Sequence, residues 1–294
     1  MPPSRIALIG LGEVGGILAR DLRAAGFKEL VGFDIGFGDP ASKASRNAAA
    51  HGVRITACAA EAAARSELVI CAVTAGSALV AAQHAKTGLG HAPFYLDVNS
   101  VSPGTKQEAA ATIEAGGGRF VEAAVMTSVP PHGIRSPMLL GGPHAEVFLP
   151  IATALGMKAQ VFSGEIGGAS SVKMCRSIMI KGMEVLATEC MLTARHYGVE
   201  KQVLASLADT LPHADWPGLA RYMMSRALIH GRRRAEEMRE VARTVAEAGL
   251  EPLQSSATAL RQDWAADQGG QLPRALLDGA ELDPLLDAIL ALRR

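Results

Sequence analysis

Residues 1–163 alternate short, almost wholly apolar runs with alanine-rich segments of helical texture. Residues 5–9, 30–33, 53–55, 68–73 and 94–97 are the apolar runs of the first hundred residues, and Leu68-Val69-Ile70-Cys71-Ala72-Val73 is the strongest. Strands that stay apolar at every position, separated by helices, predict a parallel sheet covered on both faces. Runs at 120–125, 137–140 and 159–162 extend that sheet. Helices are predicted over 13–25 and from the Gly141-Gly142-Pro143 turn onward. From Gly167 no strand-like run recurs. Helical segments follow one another, with breaks expected at Gly198, Leu211-Pro212, Gly231, Gly249 and Gly269-Gly270. The longest, 174–197, has one glycine and no proline. The pattern predicts an α/β domain over residues 1–164 and an all-α domain over 165–294.

Two glycine-rich stretches punctuate this pattern. Gly10-Leu11-Gly12-Glu13-Val14-Gly15 lies directly after the first strand and opens the first helix. In a G-x-G-x-x-G of this placement the first glycine makes the tight turn and the second lets backbone approach a pyrophosphate. The third lets helix pack on strand. The helix N-terminus then offers free N–H groups to phosphate. Asp34 ends the second strand, at the distance of about 20 residues where a carboxylate accepts the adenosine ribose hydroxyls. These features make the sheet a Rossmann-type doubly wound one. Gly10, Leu11, Gly12, Glu13, Val14, Gly15 and Asp34, with Val73 and Thr74 at the end of the strongest run, form the expected cofactor-binding set. Glu13 is unusual there, because a carboxylate beside pyrophosphate is repulsive unless it points to solvent. The second stretch, 164–172, leads into Lys173 at the start of the long helix, where a two-domain dehydrogenase would hold a proton-transfer group.

Composition narrows the function classes. At 294 residues, 49% hydrophobic and 20% charged, the chain suits about two globular domains. Lys+Arg and Asp+Glu balance at 29 each, so no global field draws nucleic acid or a membrane surface. No charged-then-apolar leader and no run of membrane-spanning length is present, which predicts a cytoplasmic protein. Four cysteines without metal-ligand spacing read as reduced core thiols. No pair of histidines has metal-site spacing, so no metal is expected. His132 stands apart because its Pro-Pro-His-Gly loop should overhang the strand ends where ligands bind. His230 with Arg232 and Arg233 is a weaker candidate for an anionic group, in a run that otherwise reads as a solvated charged face.

The order Leu8-Ile9-Gly10-Leu11-Gly12-Glu13-Val14-Gly15, Asp97-Val98-Asn99-Ser100-Val101-Ser102-Pro103, Glu122-Ala123-Ala124-Val125, Lys173 resembles the landmarks of the β-hydroxyacid dehydrogenases. That family includes 3-hydroxyisobutyrate, tartronate semialdehyde and 6-phosphogluconate enzymes. The helical part resembles a divergent branch with a 6-phosphogluconate dehydrogenase-like C-terminal domain of unassigned function. The resemblance implies NAD as cofactor, Lys173 as general acid/base, and a small substrate, a carboxylate, held by Asn99, Ser100, Thr127, Ser128 and Ser177. Departures accompany it. Ser177 replaces an asparagine one helical turn after the lysine. Met126-Thr127-Ser128 replaces a Ser-Gly-Gly that cups the substrate carboxylate, with His132 nearby. Glu236-Glu237 falls where the family has Lys-Asp.

The reading is an NAD-dependent β-hydroxyacid dehydrogenase, or the corresponding semialdehyde or keto-acid reductase, with decarboxylation open if the substrate carries a β-carboxylate. Two alternatives stand beside it. An imine reductase shares the architecture but carries a different acid at the lysine position. A non-catalytic cofactor-binding scaffold would have kept the glycines and lost the lysine. The long helix is too apolar for one small domain to cover, which predicts a homodimer.

Overall fold

The apolar runs become strands whose alternate residues serve two different cores. The computed structural model describes residues 3–210 and 215–292. Its strands are β1 (Arg5–Ile9), β2 (Glu29–Phe33), β3 (Arg54–Ile55), β4 (Leu68–Cys71), β5 (Phe94–Asp97), β6 (Arg119–Val125), β7 (Met138–Gly141) and β8 (Ala159–Ser163). They form one eight-stranded sheet in the order β3-β2-β1-β4-β5-β6-β7-β8. All neighbours are parallel except β6 and β7. Ile6, Leu8, Leu68, Ile70 and Leu96 point into one buried cluster, while Ala7, Ile9, Val69, Cys71 and Tyr95 point into the other. This is the period of two that a pleated strand imposes. Each large side chain so buried stabilises by about 1.5–3 kcal/mol, which is why the central strands β1, β4 and β5 are almost wholly apolar.

Helices cover both faces: α1 (Glu13–Ala24), α2 (Lys43–Ala50), α3 (Ala59–Ala63), α4 (Ala78–Ala85), α5 (Pro103–Glu114), the single turn α6 (Val129–His132) and α7 (Ala145–Ala154). The helical remainder comprises α8 (Gly168–Tyr197), α9 (Glu200–Thr210), α10 (Trp216–Glu247), α11 (Leu253–Gly269), α12 (Arg274–Asp278) and α13 (Leu282–Ala291). The chain divides into two compact units, residues 1–174 and 175–294. The sequence boundary of 164/165 falls before α8, whereas the units part inside it. The first turn of α8 is bonded to β6, so it belongs with the sheet.

The second unit corrects the sequence reading at Gly231. No break occurs there, and α10 runs through it. A Cβ on Gly231 would overlap the Gln262 carbonyl of α11, and one on Gly269 would overlap the Leu228 carbonyl of α10. These glycines let the two helices touch backbone to backbone. The breaks at Gly198, Gly249 and Gly269-Gly270 hold, and Leu211-Pro212 lies outside the described residues. Met191, Leu192, Met224, Leu228, Leu285 and Ile289 form the core of this unit.

Of the cysteines only Cys71 is in a core; Cys58, Cys175 and Cys190 are free thiols at the surface, since they fall on the outward sides of their segments. Met174 is buried, whereas Met179 and Met183 of the same helix are exposed. No helix among the described residues is long and apolar enough to cross a membrane.

Gly231→Ala offers a contest of signs. Helix propensity alone would stabilise α10 by about 1 kcal/mol, while overpacking a closed helix contact costs about 1–3 kcal/mol. The contact with Gln262 should win, and urea unfolding should show a net loss of stability. An unchanged or raised midpoint would mean that α10 and α11 are farther apart than this.

Candidate functional site at the sheet's C-terminal edge

The strand order reverses between β1 and β4, so the connections leaving these neighbours run to opposite sides and open a crevice at their C-terminal ends. The glycine loop fills one wall of it. Gly10 sits at φ +90°, and a Cβ there would overlap the Ala72 carbonyl after β4. Gly15 is pressed against the Gly10 carbonyl oxygen, so α1 begins directly on the strand end. Gly12 is different: nothing lies within 4 Å of where its Cβ would stand, which leaves the loop open to a pyrophosphate. Leu11 is buried, Val14 half-buried, and Glu13 exposed as the first residue of α1, an end of the helix that favours a carboxylate.

Asp34 turns its carboxylate back onto this loop. Leu11 N–H donates to Oδ2 at 2.7 Å, and Gly36 N–H donates to Oδ1 at 2.7 Å. Each carboxylate oxygen has a second lone pair, so acceptor capacity remains for a ribose diol. Ile35 follows at 91% exposure, an apolar surface beside that acid. Asn47 on α2, not singled out in the sequence, donates from Nδ2 to the carbonyls of Leu11 (2.8 Å) and Gly12 (2.7 Å). It holds the carbonyls of the loop toward α2. Open loop, anchored carboxylate and apolar flank together fit the adenosine-pyrophosphate half of NAD.

The neighbouring strand ends carry the other expected residues. Val73 is half-buried and Thr74 exposed after β4. Asn99 is buried, and its amide is engaged in bracing: Oδ1 accepts from Val73 N–H at 2.8 Å, and Nδ2 donates to Cys71 Sγ at 3.3 Å. Burial, with the Asp97 charge behind it, pushes the Cys71 thiol up to about 12, so it remains a neutral partner for that amide. Asp97 Oδ1 accepts Asn99 N–H at 2.9 Å. Lys106 of α5, wholly buried, donates to the Asp97 carbonyl at 2.8 Å and stands 3.3 Å from Oδ1. Asn99 thus staples β4 to β5, and Ser100, half-buried, follows it into the turn. Lys106 was missed because a lysine in an alanine-rich helix looks solvated; only the buried spacing of Thr105, Lys106, Ala109, Ala110 and Ile113 reveals its side.

Beyond β6, Thr127 and Ser128 are exposed, with Thr127 Oγ1 donating to the Ser128 carbonyl at 3.2 Å. His132 is exposed too, and its loop is moored to α1: Ile134 N–H donates to Asp21 Oδ2 at 2.8 Å. Glu122 of β6 is fully buried. Its Oε2 accepts Gly167 N–H at 2.7 Å and its Oε1 accepts Ser170 N–H at 2.6 Å, which ties the first turn of α8 to the sheet. Lys173 lies three residues further, half-buried. The register Ile9–Cys71–Asp97–Glu122 puts these anchors at one level of the sheet.

The second unit holds Ser177, buried, whose Oγ accepts from Lys181 Nζ at 3.2 Å. Lys181 pairs with Glu237 at 2.7 Å, and Arg233 takes the other Glu237 oxygen at 2.7 Å. Arg234 bonds Glu184 at 2.6 Å; burial pushes that carboxyl above its usual range despite the guanidinium. The run 232–237, read as a solvated face, is therefore in part a buried ionic seam. The residues weighed there as an anion site already hold acids, because Arg232 pairs with Asp263 at 3.0 Å and with Asp267.

Comparison with known proteins agrees with this geometry. A structure of a conserved hypothetical protein from Sinorhizobium meliloti 1021 is 34% identical, covers 98% of this chain and 96% of its own, and superposes with a TM-score of 0.73. The mitochondrial 3-hydroxyisobutyrate dehydrogenase of Drosophila melanogaster is 26% identical over 216 residues, spanning 72% of this chain and 64% of that one. The Mycobacterium tuberculosis 3-hydroxyisobutyrate dehydrogenase solved with L-serine shares the fold, at 22% identity, full coverage of both chains and a TM-score of 0.66. Residues 194–265 match a domain of unknown function (DUF1932). Residues 5–159, more than half of the chain, match the NAD binding domain of 6-phosphogluconate dehydrogenase, and the chain belongs to that family.

Proposed function

We propose that the protein is an NAD-dependent dehydrogenase or reductase that interconverts a β-hydroxy acid and its keto or semialdehyde form. The observation that carries this reading is the mooring of the first turn of α8, with Lys173, to the strand edge that bears the nucleotide loop. Bound NAD supplies the hydride acceptor or donor. Lys173 takes the hydroxyl proton in oxidation and returns it in reduction. The exposed Ser128 hydroxyl offers a donor to the substrate carboxylate, and Thr127 Oγ1 can turn to it from the Ser128 carbonyl, with His132 on the same loop. Asn99 contributes by holding the β4 and β5 ends in place. Lys173→Ala should lower turnover by about a hundredfold, the low end for losing a positioned acid–base, with NAD affinity little changed. Steady-state kinetics on a panel of β-hydroxy acids with NAD at alkaline pH checks this, and turnover within threefold of wild type would remove Lys173 from the mechanism.

Cofactor choice follows from the acid at position 34. A 2′-phosphate would meet the Asp34 carboxylate, and the 3₁₀ turn Ile35–Gly38 after it carries no cation. Lys43 and Arg46 are on α2, and Arg46 donates to the Ala41 carbonyl. Like charges crowded in a partly desolvated site favour NAD over NADP by about tenfold or more. The ratio of kcat/KM for the two cofactors on one substrate measures this; a ratio favouring NADP would sink it.

The assembly we propose is a homodimer. Between α8 and α11 runs a groove of about 590 Å³ lined by Met179, Gly182, Met183, Leu186, Leu260 and Trp264. Met179 and Leu186 are each 63% exposed, and nothing lies within 4 Å of where a Gly182 Cβ would stand. Knobs thus lie beside a hole, the self-complementary surface a two-fold requires. Glu189 and Arg261, opposite charges on the two walls, can exchange partners across such an axis. Light scattering at micromolar concentration should give twice the chain mass, and Gly182→Leu should reduce it to one; a monomeric wild type rules the dimer out.

A further inference from the structure

We propose that Glu122 is a positioning residue for Lys173: a buried carboxylate on the sheet that fixes the first turn of α8 and so the place from which the lysine reaches. The inference rests on the reading of Lys173 as the proton-transfer group.

Glu122 is fully buried and faces β7, yet both its oxygens are used by a different element. They accept the N–H groups of Gly167, just before α8, and of Ser170, in its first turn. A carboxylate from the sheet therefore occupies the position that a local serine, threonine or aspartate cap would take. Local candidates are present and turned elsewhere. Ser170 and Ser171 both donate to the Gly167 carbonyl, at 3.1 and 2.7 Å. Its charge faces these two N–H groups and the positive end of α8. The strand opposite is shaped for it. Gly141 pairs with Glu122 across β6 and β7, and a Cβ there would stand 2.5 Å from Oε2.

Burying a carboxylate costs more than capping a helix requires, so this arrangement gains precision at the expense of solvation. Lys173 follows Ser170 by three residues and leaves the helix on the same side. Two short bonds from a rigid strand define the azimuth and height of that turn. Proton transfer is sensitive to such placement, since an ångström of displacement costs up to about a hundredfold in rate.

Glu122→Gln keeps the shape but turns an amide N–H₂ toward one of the two N–H donors. It should lower kcat by roughly tenfold to a hundredfold while NAD affinity stays within twofold, and hydrogen exchange of the 165–172 segment should quicken. Glu122→Asp, charged but shorter, should recover part of the rate. Gly141→Ala, which presses on the carboxylate without altering it, should lower kcat in the same direction and keeps the test open if Glu122→Gln does not fold. In a Lys173→Ala background Glu122→Gln should cause no further loss, because its effect passes through the lysine. A Glu122→Gln kcat within twofold of wild type, or an equal loss with and without Lys173, overturns the proposal while the dehydrogenase reading stands. A Lys173→Ala variant with wild-type turnover, or a wild type inert on every hydroxy acid, defeats that reading and the proposal with it.

Discussion

The close approach of two backbones at the ends of β1 and β4 is the constraint on which the nucleotide edge depends. Gly10 stands against the Ala72 carbonyl, and Gly15 against the Gly10 carbonyl, with no room at either for a methyl group. Three segments therefore meet at one point: the end of β1, the end of β4 and the start of α1. Their meeting fixes where the N-terminus of α1 points, and with it the direction of its unpaired N–H groups. Asp34 and Asn47 then hold the loop from outside, one taking an N–H and the other supplying donors to two carbonyls. The loop is braced because these polar groups are committed to its neighbours, and space remains beside Gly12, where nothing lies within 4 Å of a Cβ position.

The rest of the edge is built from buried charge. Asp97 with Lys106, and Glu122 with the first turn of α8, lie side by side at one level of the sheet, on β5 and β6. Such groups add little net stability when complete, but removing one partner leaves an uncompensated charge at a cost of about 3–5 kcal/mol. Their value lies in admitting one arrangement. The Asp97–Lys106 pair sets the turn after β5 through Asn99, and Glu122 sets α8. Strand ends that would otherwise fray are thereby held at defined heights, as the proposed hydride and proton transfer would require.

The parts of this arrangement legible in the sequence were those whose signal is local. The glycine spacing, the acid after β2 and the continuous apolar strands are patterns of neighbouring residues, and the structure has the glycine loop between β1 and α1, the acid at the end of β2 and the strands in one sheet. Lys106 and Asn47 were not legible, because their partners lie outside their own helices, 9 residues away for Lys106 and 35 and 36 away for Asn47, and their own surroundings look like ordinary helix surface. Asn99 was visible as a polar residue at a strand end, but only the fold distinguishes a brace from a ligand-facing amide. Gly231 misled for the same reason. A helical glycine can mark an end or a contact, and only the proximity of α11 decides which. The domain boundary moved into α8 because the decisive contact, Glu122 with Ser170, joins residues 48 positions apart.

Between Ser177 and Thr188 of the second unit, α8 is largely inverted relative to an ordinary amphipathic helix, Val185 being the buried apolar exception. Ser177, Lys181, Glu184 and Thr188 are buried at spacings of four, three and four, facing Arg234, Glu237 and Gln262. Met179, Met183 and Leu186 are turned outward. A helix alone in water would place these faces the other way round, since exposing the methionines and leucine forfeits about 25 cal/mol for each Å² of apolar surface. Burying the ionic seam brings a desolvation cost as well. Covering the outward face would remove the first of these costs and leave the second, which the seam offsets only through its own pairing while it specifies one packing of α8, α10 and α11. The polar contacts thus set the geometry of the unit, and the outward apolar face is the surface that the proposed homodimer would cover.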